Sequence, residues 1–561
     1  MDYKRYILIG AAAVLSYMLL IEWGQFTETN KRSSPAPTVA TSSQAPNQQT
    51  TQTDNVDDTR DLPSDLPTET ALHAATPETQ SPAKSGPLIT VTTDTLKMSI
   101  NRNGGDIVAV SLPKYYAHLD TPDQPFKLLE DGSERTYIAQ SGLIGRDGID
   151  RADGRPVYQS TADHYEMAKG SNSLTVDLVT QDKDISIIKR FTFHRDDYLV
   201  DVDYIINNQS DADWSAGLFA QIKRDHSADP SASSSGFGLH PYLGAAVTTA
   251  EEPFKKIKFD DMQEKPFKQT LEGGWIAMLQ HYFLSAWIAN PETTYHYSTA
   301  VTRNDEYIIR FTSPAITIAP GKSAEIDAKF YAGPKDQYEL KKISPGLDLS
   351  VDYGWLWWIA QPLFLILTQL HKFLGNWGFA IIAVTVLVKA AFFWLNAKAY
   401  TSMANMRKVQ PKLLEIRERY ADDKAKQSQE MMSLYKKEKI NPLGGCLPIL
   451  IQMPVFISLY WVLMESVELR HSPFVFWIKD LSVMDPYFIL PLIMGVSMFI
   501  QQKLNPPPPD PMQAKVMQWM PVMFTFFFLF FPAGLVLYWV VNNTLSIVQQ
   551  YIITKRIEAA G

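Results

Sequence analysis

The chain has 561 residues, a formal net charge of −8 and a single cysteine, Cys446. This length leaves room for two or three domains. The acidic balance argues against nucleic acid as a direct ligand, because such proteins usually present a basic face. One cysteine excludes an internal disulfide and a cysteine-rich metal site. Hydrophobic residues make up 45% of the chain and are concentrated after residue 346, which predicts a membrane protein with a large soluble part.

The first 26 residues are typical of an N-terminal transmembrane anchor. Lys4 and Arg5 precede an apolar run from Tyr6 to Ile21. A cleaved signal peptide would look similar, but bulky residues replace the small ones that a cleavage site requires. The basic pair places the N-terminus in the cytosol, so the residues after the anchor are exported. Residues 27–86 are rich in Thr, Ser, Pro, Gln and Asp, which predicts a disordered periplasmic linker.

Residues 87–345 show the two-residue period of half-buried strands. Leu96, Met98 and Ile100 alternate with polar residues, and Val200, Val202 and Tyr204 repeat the pattern. Many such strands separated by polar turns predict an antiparallel all-β sandwich. This part of the sequence has no metal-ligand spacing and no GxSxG, HExxH or phosphate-loop motif. A folding or docking module is favoured over a sugar-binding cleft that would use a histidine and a carboxylate.

Residues 346–373 contain the run VDYGWLWWIAQPLFLILTQLHKF, which suits either a spanning helix or a helix in the membrane interface. As a span, it would carry the basic loop that follows to the outer side, against the positive-inside rule. Trp355, Trp357 and Trp358 suit the level of the lipid headgroups. The sequence therefore predicts an interfacial amphipathic helix on the outer face.

The apolar run from Phe379 to Asn396 is long enough to span a bilayer, yet it contains Lys389. A lysine at that depth costs about 2.5–3.5 kcal/mol, so it persists only where water, a partner or a function offsets the cost. Thr385, Lys389 and Asn396 share one face of the predicted helix. Residues 374–561 are predicted to form a five-helix membrane core, which gives six transmembrane helices in total. The other four spans of this core are predicted at 446–464, 486–502, 516–531 and 533–553.

Residues 398–440 form a basic loop that the topology places in the cytosol. Apolar residues recur there at spacings of three and four in two runs, which predicts a helical hairpin. A solvated hairpin with a structural role and a docking surface for the ribosome, lipid headgroups or arriving substrate both remain open. The runs comprise Met406, Val409, Leu413, Ile416 and Tyr420, then Met431, Met432, Leu434 and Tyr435.

Polar residues of the predicted spans lie in their cytosolic halves, whereas the outer halves are apolar. Because such groups face a bundle interior or water rather than lipid, they predict a hydrated groove open to the cytosol. Lys389 would attract carboxylates of a nascent chain, whose apolar segment slides along Phe- and Met-rich helices into the bilayer. No nucleotide, cofactor or metal site is predicted. The candidate groove residues from this pattern are Thr385, Lys389, Asn396, Gln452, Asn542 and Ser546, and the candidate hydrophobic slide comprises Met453, Phe456, Tyr460 and Phe527.

Four runs of this sequence resemble the YidC/Oxa/Alb family of membrane protein insertases. They are VDYGWLWWIAQPLF at 351–364, GNWGFAIIAVTVLVK at 375–389, NPLGGCLPILIQMPVFISLY at 441–460 and FFPAGLVLYWVVNN at 530–543. Together with the N-terminal anchor and the exported β domain, these runs extend the resemblance over essentially the full length. The resemblance is to the Gram-negative form of the family.

The resemblance implies a multi-domain inner-membrane protein with a periplasmic super-sandwich similar to galactose mutarotase and an α-helical insertase core. It implies insertion and folding of nascent membrane proteins, alone or with the Sec translocon, and no enzyme activity. Lys389 stands where many members have an arginine, which keeps the charge but loses the planar fork of donors. The resemblance adds Tyr538 and Trp539 to the candidate groove residues, as an aromatic pair in which two tyrosines are frequent. The short C-terminal tail lacks the basic extension by which some relatives hold ribosomes.

Two other classes of function explain less of the sequence. A Ser/Lys hydrolase would use Lys389 as base and Ser458 or Ser546 as nucleophile, but no oxyanion-hole signature accompanies them. An ion-coupled transporter is disfavoured because no Asp or Glu lies within a predicted span of the core.

Overall fold

The computed structural model describes residues 62–63, 88–151, 154–232, 241–438, 447–505 and 511–559. The predicted anchor at 1–26 and nearly all of the predicted linker at 27–86 lie outside the described residues. The end of the predicted hairpin from residue 439 onward and Cys446 also lie outside them.

Nineteen strands lie between residues 88 and 334 of the described chain. Their sequences carry the alternation of apolar and polar side chains that a sheet with one buried face requires. In chain order they are β1 (Leu88–Thr92), β2 (Lys97–Asn101), β3 (Asp106–Tyr116), β4 (Pro125–Asp131), β5 (Thr136–Ile144), β6 (His164–Glu166), β7 (Ser173–Asp182), β8 (Ile185–His194), β9 (Leu199–Asn208), β10 (Trp214–Arg224), β11 (Gly244–Val247), β12 (Lys255–Ile257), β13 (Lys268–Glu272), β14 (Trp275–Leu279), β15 (Phe283–Ala289), β16 (Thr294–Val301), β17 (Tyr307–Thr312), β18 (Ile316–Ile318) and β19 (Ser323–Pro334).

The described strands form two sheets, one with 11 strands and one with 8. The larger sheet has the order β13-β16-β17-β10-β5-β4-β3-β2-β1-β6, with β18 beside β10, and the smaller has the order β12-β11-β14-β15-β19-β9-β8-β7. Neighbouring strands are antiparallel, except that β6 runs parallel to β1. The sheets enclose one large apolar core that includes Tyr204, Phe283 and Trp287. The predicted all-β sandwich is confirmed.

A buried charged network crosses this core between the sheets. Arg155 pairs with Asp150 at 2.7 Å and also with Asp106. From the other sheet, Lys189 Nζ donates to the carbonyl oxygens of Gly104 at 3.2 Å and Ser141 at 3.0 Å. Burial lowers the pKa of Lys189 to about 7. Because these ions have left water, each depends on its partners for stability.

Ten α-helices lie in the described residues, two of them short helices beside the sandwich. They are α1 (Phe259–Glu264), α2 (Gln337–Ile343), α3 (Trp357–Leu374), α4 (Trp377–Ala391), α5 (Phe393–Arg419), α6 (Lys424–Lys437), α7 (Leu447–Glu465), α8 (Ile489–Leu504), α9 (Pro511–Phe528) and α10 (Ala533–Ala559). Helices α7 to α10 correspond to the four later predicted spans, with ends displaced by a few residues.

The boundary between α3 and α4 follows from two adjacent residues. Gly375 ends α3 in the left-handed conformation at φ +69°, and its N–H donates to the His371 carbonyl, as is common at helix C-termini. Asn376 then begins α4, because its side-chain oxygen accepts from the N–H of Phe379 at 3.2 Å. The same amide donates to the Pro473 carbonyl at 3.1 Å, which fixes this helix end against the loop before α8.

The prediction of one continuous helix from Phe379 to Asn396 is wrong. Helix α4 ends at Ala391 and α5 begins at Phe393, with a bend of 68° between them. By length and apolar composition, no single helix of the described chain qualifies to cross a membrane, and α4 with α5 qualifies only as this bent pair.

The predicted helical hairpin is present as α5 and α6. Val409 and Leu413 of α5 are buried and pack against Met431, Leu434 and Tyr435 of α6. Asp423 begins α6 by accepting from the N–H of Lys426. The apolar spacing seen in the sequence therefore forms the contact between the two helices.

The segment that follows α7 packs against the β sandwich. Val467 is 3% exposed and belongs to the main apolar core of the sandwich. Glu468 is partly buried there, and Tyr115, Asp336, Tyr338 and Tyr353 surround it. Burial, with a smaller effect from Asp336, raises the pKa of the Glu468 carboxyl to about 7.

This raised pKa predicts a pH-dependent effect of Glu468→Gln on stability. The folded carboxyl holds its proton more tightly than the unfolded one, so the stability it contributes is present below about pH 4.5 and is lost as the pH rises through about 7. We expect the glutamine variant to gain on the order of 1–2 kcal/mol near pH 8 and nothing near pH 4. Thermal unfolding of the full chain in detergent at both pH values measures this. An equal change at both would contradict the assignment.

Candidate substrate groove

Polar residues of α10 form a buried stripe at four-residue spacing. Their exposures are 0% for Tyr538, 7% for Asn542, 2% for Ser546, 1% for Gln550 and 8% for Thr554. Because four residues return a helix to nearly the same face, the stripe runs along one side for about 24 Å. We call these five residues the polar stripe. Buried polar groups in such number need partners, which neighbouring helices provide in part.

The N-terminal end of α10 is fixed by the loop before α8. The N–H of Ala533 donates to the Val483 carbonyl at 2.7 Å, and the N–H of Gly534 donates to the Leu481 carbonyl at 2.9 Å. These bonds satisfy two of the donors that every helix leaves free in its first turn. The start of the polar stripe is therefore held in a fixed position relative to the loop before α8.

Lys389 of α4 reaches the middle of the polar stripe. Its Nζ donates to Ser546 Oγ at 2.7 Å, and Ser546 Oγ donates in turn to the Asn542 carbonyl at 2.8 Å. The lysine is partly buried, and among the described residues no carboxylate forms an ion pair with it. A cation is thus held on an apolar bundle by one hydroxyl group.

Thr385 and Asn396, which were predicted to share a wet face with Lys389, have different surroundings. Thr385 is fully buried, and its hydroxyl donates to the Ile381 carbonyl of its own helix at 2.6 Å, as threonine often does in helices. Asn396 is 3% exposed and lies on α5, beyond the bend. Thr385 and Lys389, four residues apart on α4, do share a helical face. The prediction is wrong for Asn396, because the break at Phe392 ends the helical periodicity on which it rested.

Gln452 and the aromatic pair, Tyr538 and Trp539, meet at the N-terminal end of the stripe. The Gln452 amide nitrogen donates to the Tyr538 hydroxyl, which joins α7 to α10. Trp539 stacks edge-on to Phe456 at 4.8 Å between ring centroids. Trp539 Nε1 and Asn542 Oδ1 are buried and have no hydrogen-bond partner among the described residues. Such groups are costly in a dry core, so this region suits water or a polar substrate.

The candidate slide residues surround that position. Met453 is 39% exposed on α7, and Phe456 and Phe527 are partly buried. Tyr460 is 8% exposed and packs against Phe531 at 5.6 Å between ring centroids. The structure therefore brings Phe456 next to the aromatic pair, whereas Tyr460 belongs to the packed interior.

Three further polar residues of α10 lie in the cytosolic half of the predicted last span but are absent from the candidate groove residues. Asn543 donates to Ser497 Oγ at 3.2 Å, and Gln550 donates to the Leu504 carbonyl at 3.2 Å, so both join α10 to α8. Gln549 donates to the Phe393 carbonyl at 3.1 Å, just after the bend. The four-residue spacing of Gln550 and Thr554 with Ser546 was a signal that could have found the lower stripe. Within the described ranges no three His, Cys, Asp or Glu residues could hold a metal ion.

The sandwich and the helical region match two adjoining family models, one for each part. Residues 88–366 match the YidC periplasmic domain, and residues 369–560 match the 60Kd inner membrane protein. These matches define the class as an inner-membrane protein with a periplasmic β domain.

Known proteins place the chain more narrowly. The membrane protein insertase YidC of Cellvibrio japonicus is 52% identical over 561 residues, which are 100% of this chain and 99% of that protein. The chain belongs to the YidC family of membrane protein insertases, as the sequence motifs predicted.

Two solved structures show more distant similarity. A crystal structure of an active YidC insertase is 18% identical with a TM-score of 0.39, covering 84% of this chain and 93% of that one. A galactose mutarotase related enzyme from Lactobacillus acidophilus is 13% identical with a TM-score of 0.30, covering 44% of this chain and 97% of that one.

Proposed function

We propose that this protein inserts nascent membrane proteins into the bacterial inner membrane through a groove beside the polar stripe, and helps them fold. The observation that carries the proposal is the contact of Lys389 with Ser546: a cation partly buried on an apolar helical bundle, without a carboxylate partner among the described residues. A charge in that setting attracts opposite charge strongly, because little water screens it. Acidic side chains in the exported segment of a substrate fit this attraction.

Unpaired polar atoms support a hydrated groove. Trp539 Nε1, Asn542 Oδ1 and Ser458 Oγ are buried without a partner in the part of the chain that the structure describes, and each would gain a hydrogen bond from water or from a polypeptide backbone. A polar segment that enters here loses less hydration than it would in lipid. The cost of moving it partway across the bilayer falls accordingly.

The apolar part of a substrate would leave along α7 and α9. Met453 and Phe456 present soft, adaptable side chains beside the groove, and Phe527 faces the same cluster of aromatic rings. Burial of the substrate's own apolar surface, at about 25 cal/mol per Å², would drive insertion without nucleotide hydrolysis. In this scheme the protein is not an enzyme.

The topology belongs to the same proposal. Six spans, with both termini cytosolic, would place the sandwich (87–345) in the periplasm and the α5–α6 hairpin in the cytosol. On the outer face, Trp355 is 72% exposed, Trp357 is 57% exposed and Trp358 is 60% exposed, which suits a helix at the lipid headgroups. The hairpin would dock ribosomes transiently, and substrates would also arrive from the Sec translocon.

A Ser/Lys hydrolase is the second candidate, because the 2.7 Å contact of Lys389 with Ser546 has the geometry of a base and its nucleophile. Two features favour the insertase. The Ser546 hydroxyl already donates to the Asn542 carbonyl, and it is 2% exposed, so it is poorly placed to attack a substrate.

Site-specific photo-crosslinking tests the proposal. We expect a photoreactive residue at position 456 to capture a ribosome-bound nascent membrane protein, because Phe456 lies beside the groove. Phe526, 66% exposed on the same bundle, is the matched control and should contact mainly lipid. Equal capture at both positions, or lipid alone at position 456, would contradict the groove.

A further inference from the structure

A shallow, open cavity lies at the edge of the β sandwich, beside the segment that leads from α2 to α3. One wall is the loop before β12 with the start of that strand, and the other is the segment at 346–352. The volume is about 470 Å³, which is in the range of small-molecule sites. We call it the β12 cavity, and its lining residues are Glu252, Phe254, Lys255, Lys256, Leu349 and Asp352.

The two walls of the β12 cavity are set by backbone contacts. Gly346 has left-handed backbone at φ +82°, and a Cβ atom there would lie 2.3 Å from the Pro253 carbonyl oxygen, so only glycine lets the walls approach this closely. In the other wall, the Thr249 hydroxyl donates to the Glu252 carbonyl at 3.0 Å and accepts from the Glu252 N–H at 2.9 Å. The cavity is therefore formed before any ligand arrives.

The lining of the cavity carries both signs of charge. Lys256 pairs with Asp352, so these two charges compensate each other. Lys255 and Glu252 are exposed, and neither forms an ion pair with another residue of the described ranges. One cation and one carboxylate, three residues apart, are thus left to a ligand. A ligand that joins an anion to an ammonium by a short carbon chain matches both.

The neighbouring chain suits the level of the lipid headgroups. Trp355 is 72% exposed and follows Asp352 by three residues, so their Cα atoms are at most about 11 Å apart. Exposed tryptophans of this kind are enriched at the membrane surface. Leu349, 42% exposed, adds an apolar edge to the cavity. A phospholipid of the outer leaflet, whose headgroup is polar and whose glycerol ester region is less so, therefore lies within reach.

We infer that the β12 cavity binds the headgroup of a zwitterionic phospholipid of the outer leaflet, with its phosphate at Lys255 and its ammonium at Glu252. Phosphatidylethanolamine has this chemistry, and its primary ammonium donates hydrogen bonds, which the trimethylated ammonium of phosphatidylcholine cannot do. An anionic headgroup would leave Glu252 without a counter-charge and place a phosphate beside it. The inference rests on the proposed function only for the placement of α3 at the outer face, and it gives the sandwich no part in insertion.

Lipid photo-crosslinking of the full chain tests the inference. A photoreactive residue at position 349 is used in vesicles made of equal parts phosphatidylethanolamine and phosphatidylglycerol, and mass spectrometry identifies the lipid adducts. We expect about fivefold more adduct with phosphatidylethanolamine. Lys255→Gln and Glu252→Gln should each lower that adduct about fivefold, whereas Lys255→Arg keeps the cation and should retain it.

Lys127 and Glu130 provide the matched control. They have the same three-residue spacing but pair with each other at 2.7 Å, and they do not line the cavity. Lys127→Gln should therefore leave both adducts unchanged. Equal capture of the two lipids would overturn the inference, and so would capture of phosphatidylethanolamine that survives the loss of either charge in the cavity.

A photoreactive residue at position 355 separates this inference from the proposed function. Lipid capture at position 355 with none at position 349 would overturn the inference and leave the placement of α3 intact. Lipid capture at neither position would contradict that placement as well. Crosslinking of a nascent chain from position 456 is a separate measurement, and its loss would overturn the proposed groove without changing the lipid adducts expected at position 349.

Discussion

Replacing Lys389 by leucine is expected to lower insertion of substrates with acidic exported segments at least tenfold. Two unit charges about 4 Å apart interact by about 4 kcal/mol at an effective dielectric constant of about 20. About a third of that energy corresponds to a tenfold change in rate. Substrates without acidic residues in the exported segment should be affected much less. Comparing the two substrate types in proteoliposomes measures the difference.

Two control variants separate this attraction from hydrolysis. Lys389→Arg keeps the charge and should retain most insertion, although its planar fork needs more room. Ser546→Ala removes one hydrogen bond from the lysine and should also be tolerated. A hydrolase would lose its activity in all three variants, because base and nucleophile act as a unit. Equal loss with acidic and neutral substrates would contradict the role given to the cation.

Replacing Asp150 by alanine is expected to lower the free energy of unfolding of the sandwich by about 3–5 kcal/mol. The Asp150 side chain is fully buried, pairs with Arg155 at 2.7 Å and accepts from the N–H of Leu143 at 2.8 Å. Its loss would leave Arg155 with Asp106 alone while Lys189 lies close by. Urea unfolding of the full chain, followed by protease resistance of the sandwich, measures the change.

Asp177 provides the matched control. It forms a two-bond pair with Arg190, but both side chains are 37% exposed. Exposed pairs contribute about 1 kcal/mol or less, so Asp177→Ala should barely move the transition. If both alanine variants had similar effects, the buried network would not carry the stability assigned to it.

The sandwich could be predicted from the sequence because its signal is local. Met98 and Ile100 of β2 are fully buried, as are Val200 and Val202 of β9, and the polar residues between them are less buried. Alternation with a period of two identifies the buried face of a strand, whichever strand it pairs with. The order of strands in the two sheets is set by long-range pairing and has no comparable signal.

The bend between α4 and α5 could not be predicted, because the run FFWLN at 392–396 contains neither glycine nor proline. Phe392 leaves helical geometry at φ −95° and ψ 10°, and Gln549 of α10 donates to the next carbonyl. Breaks without glycine or proline depend on such tertiary contacts.

The sequence identified which residues form the site better than it identified the residues that they contact. Depth in the predicted spans identified Lys389 and Ser546, since polar residues in apolar runs stand out, whereas the family resemblance pointed to Tyr538. Their pairing depends on how α4, α7 and α10 pack. The pairing of Lys335 with Glu465 joins residues from opposite parts of the chain, and two ordinary surface-type residues gave no sign of it.

The position of Val467 inside the sandwich has a consequence for biogenesis. Val467 is synthesised after the whole exported domain. That domain therefore reaches the periplasm before the Val467 side chain can take its place in the hydrophobic core. In the proposed topology, the Val467 side chain arrives only when α7 has crossed the bilayer. Maturation of the two halves is therefore ordered in time, with the membrane part completing the exported one.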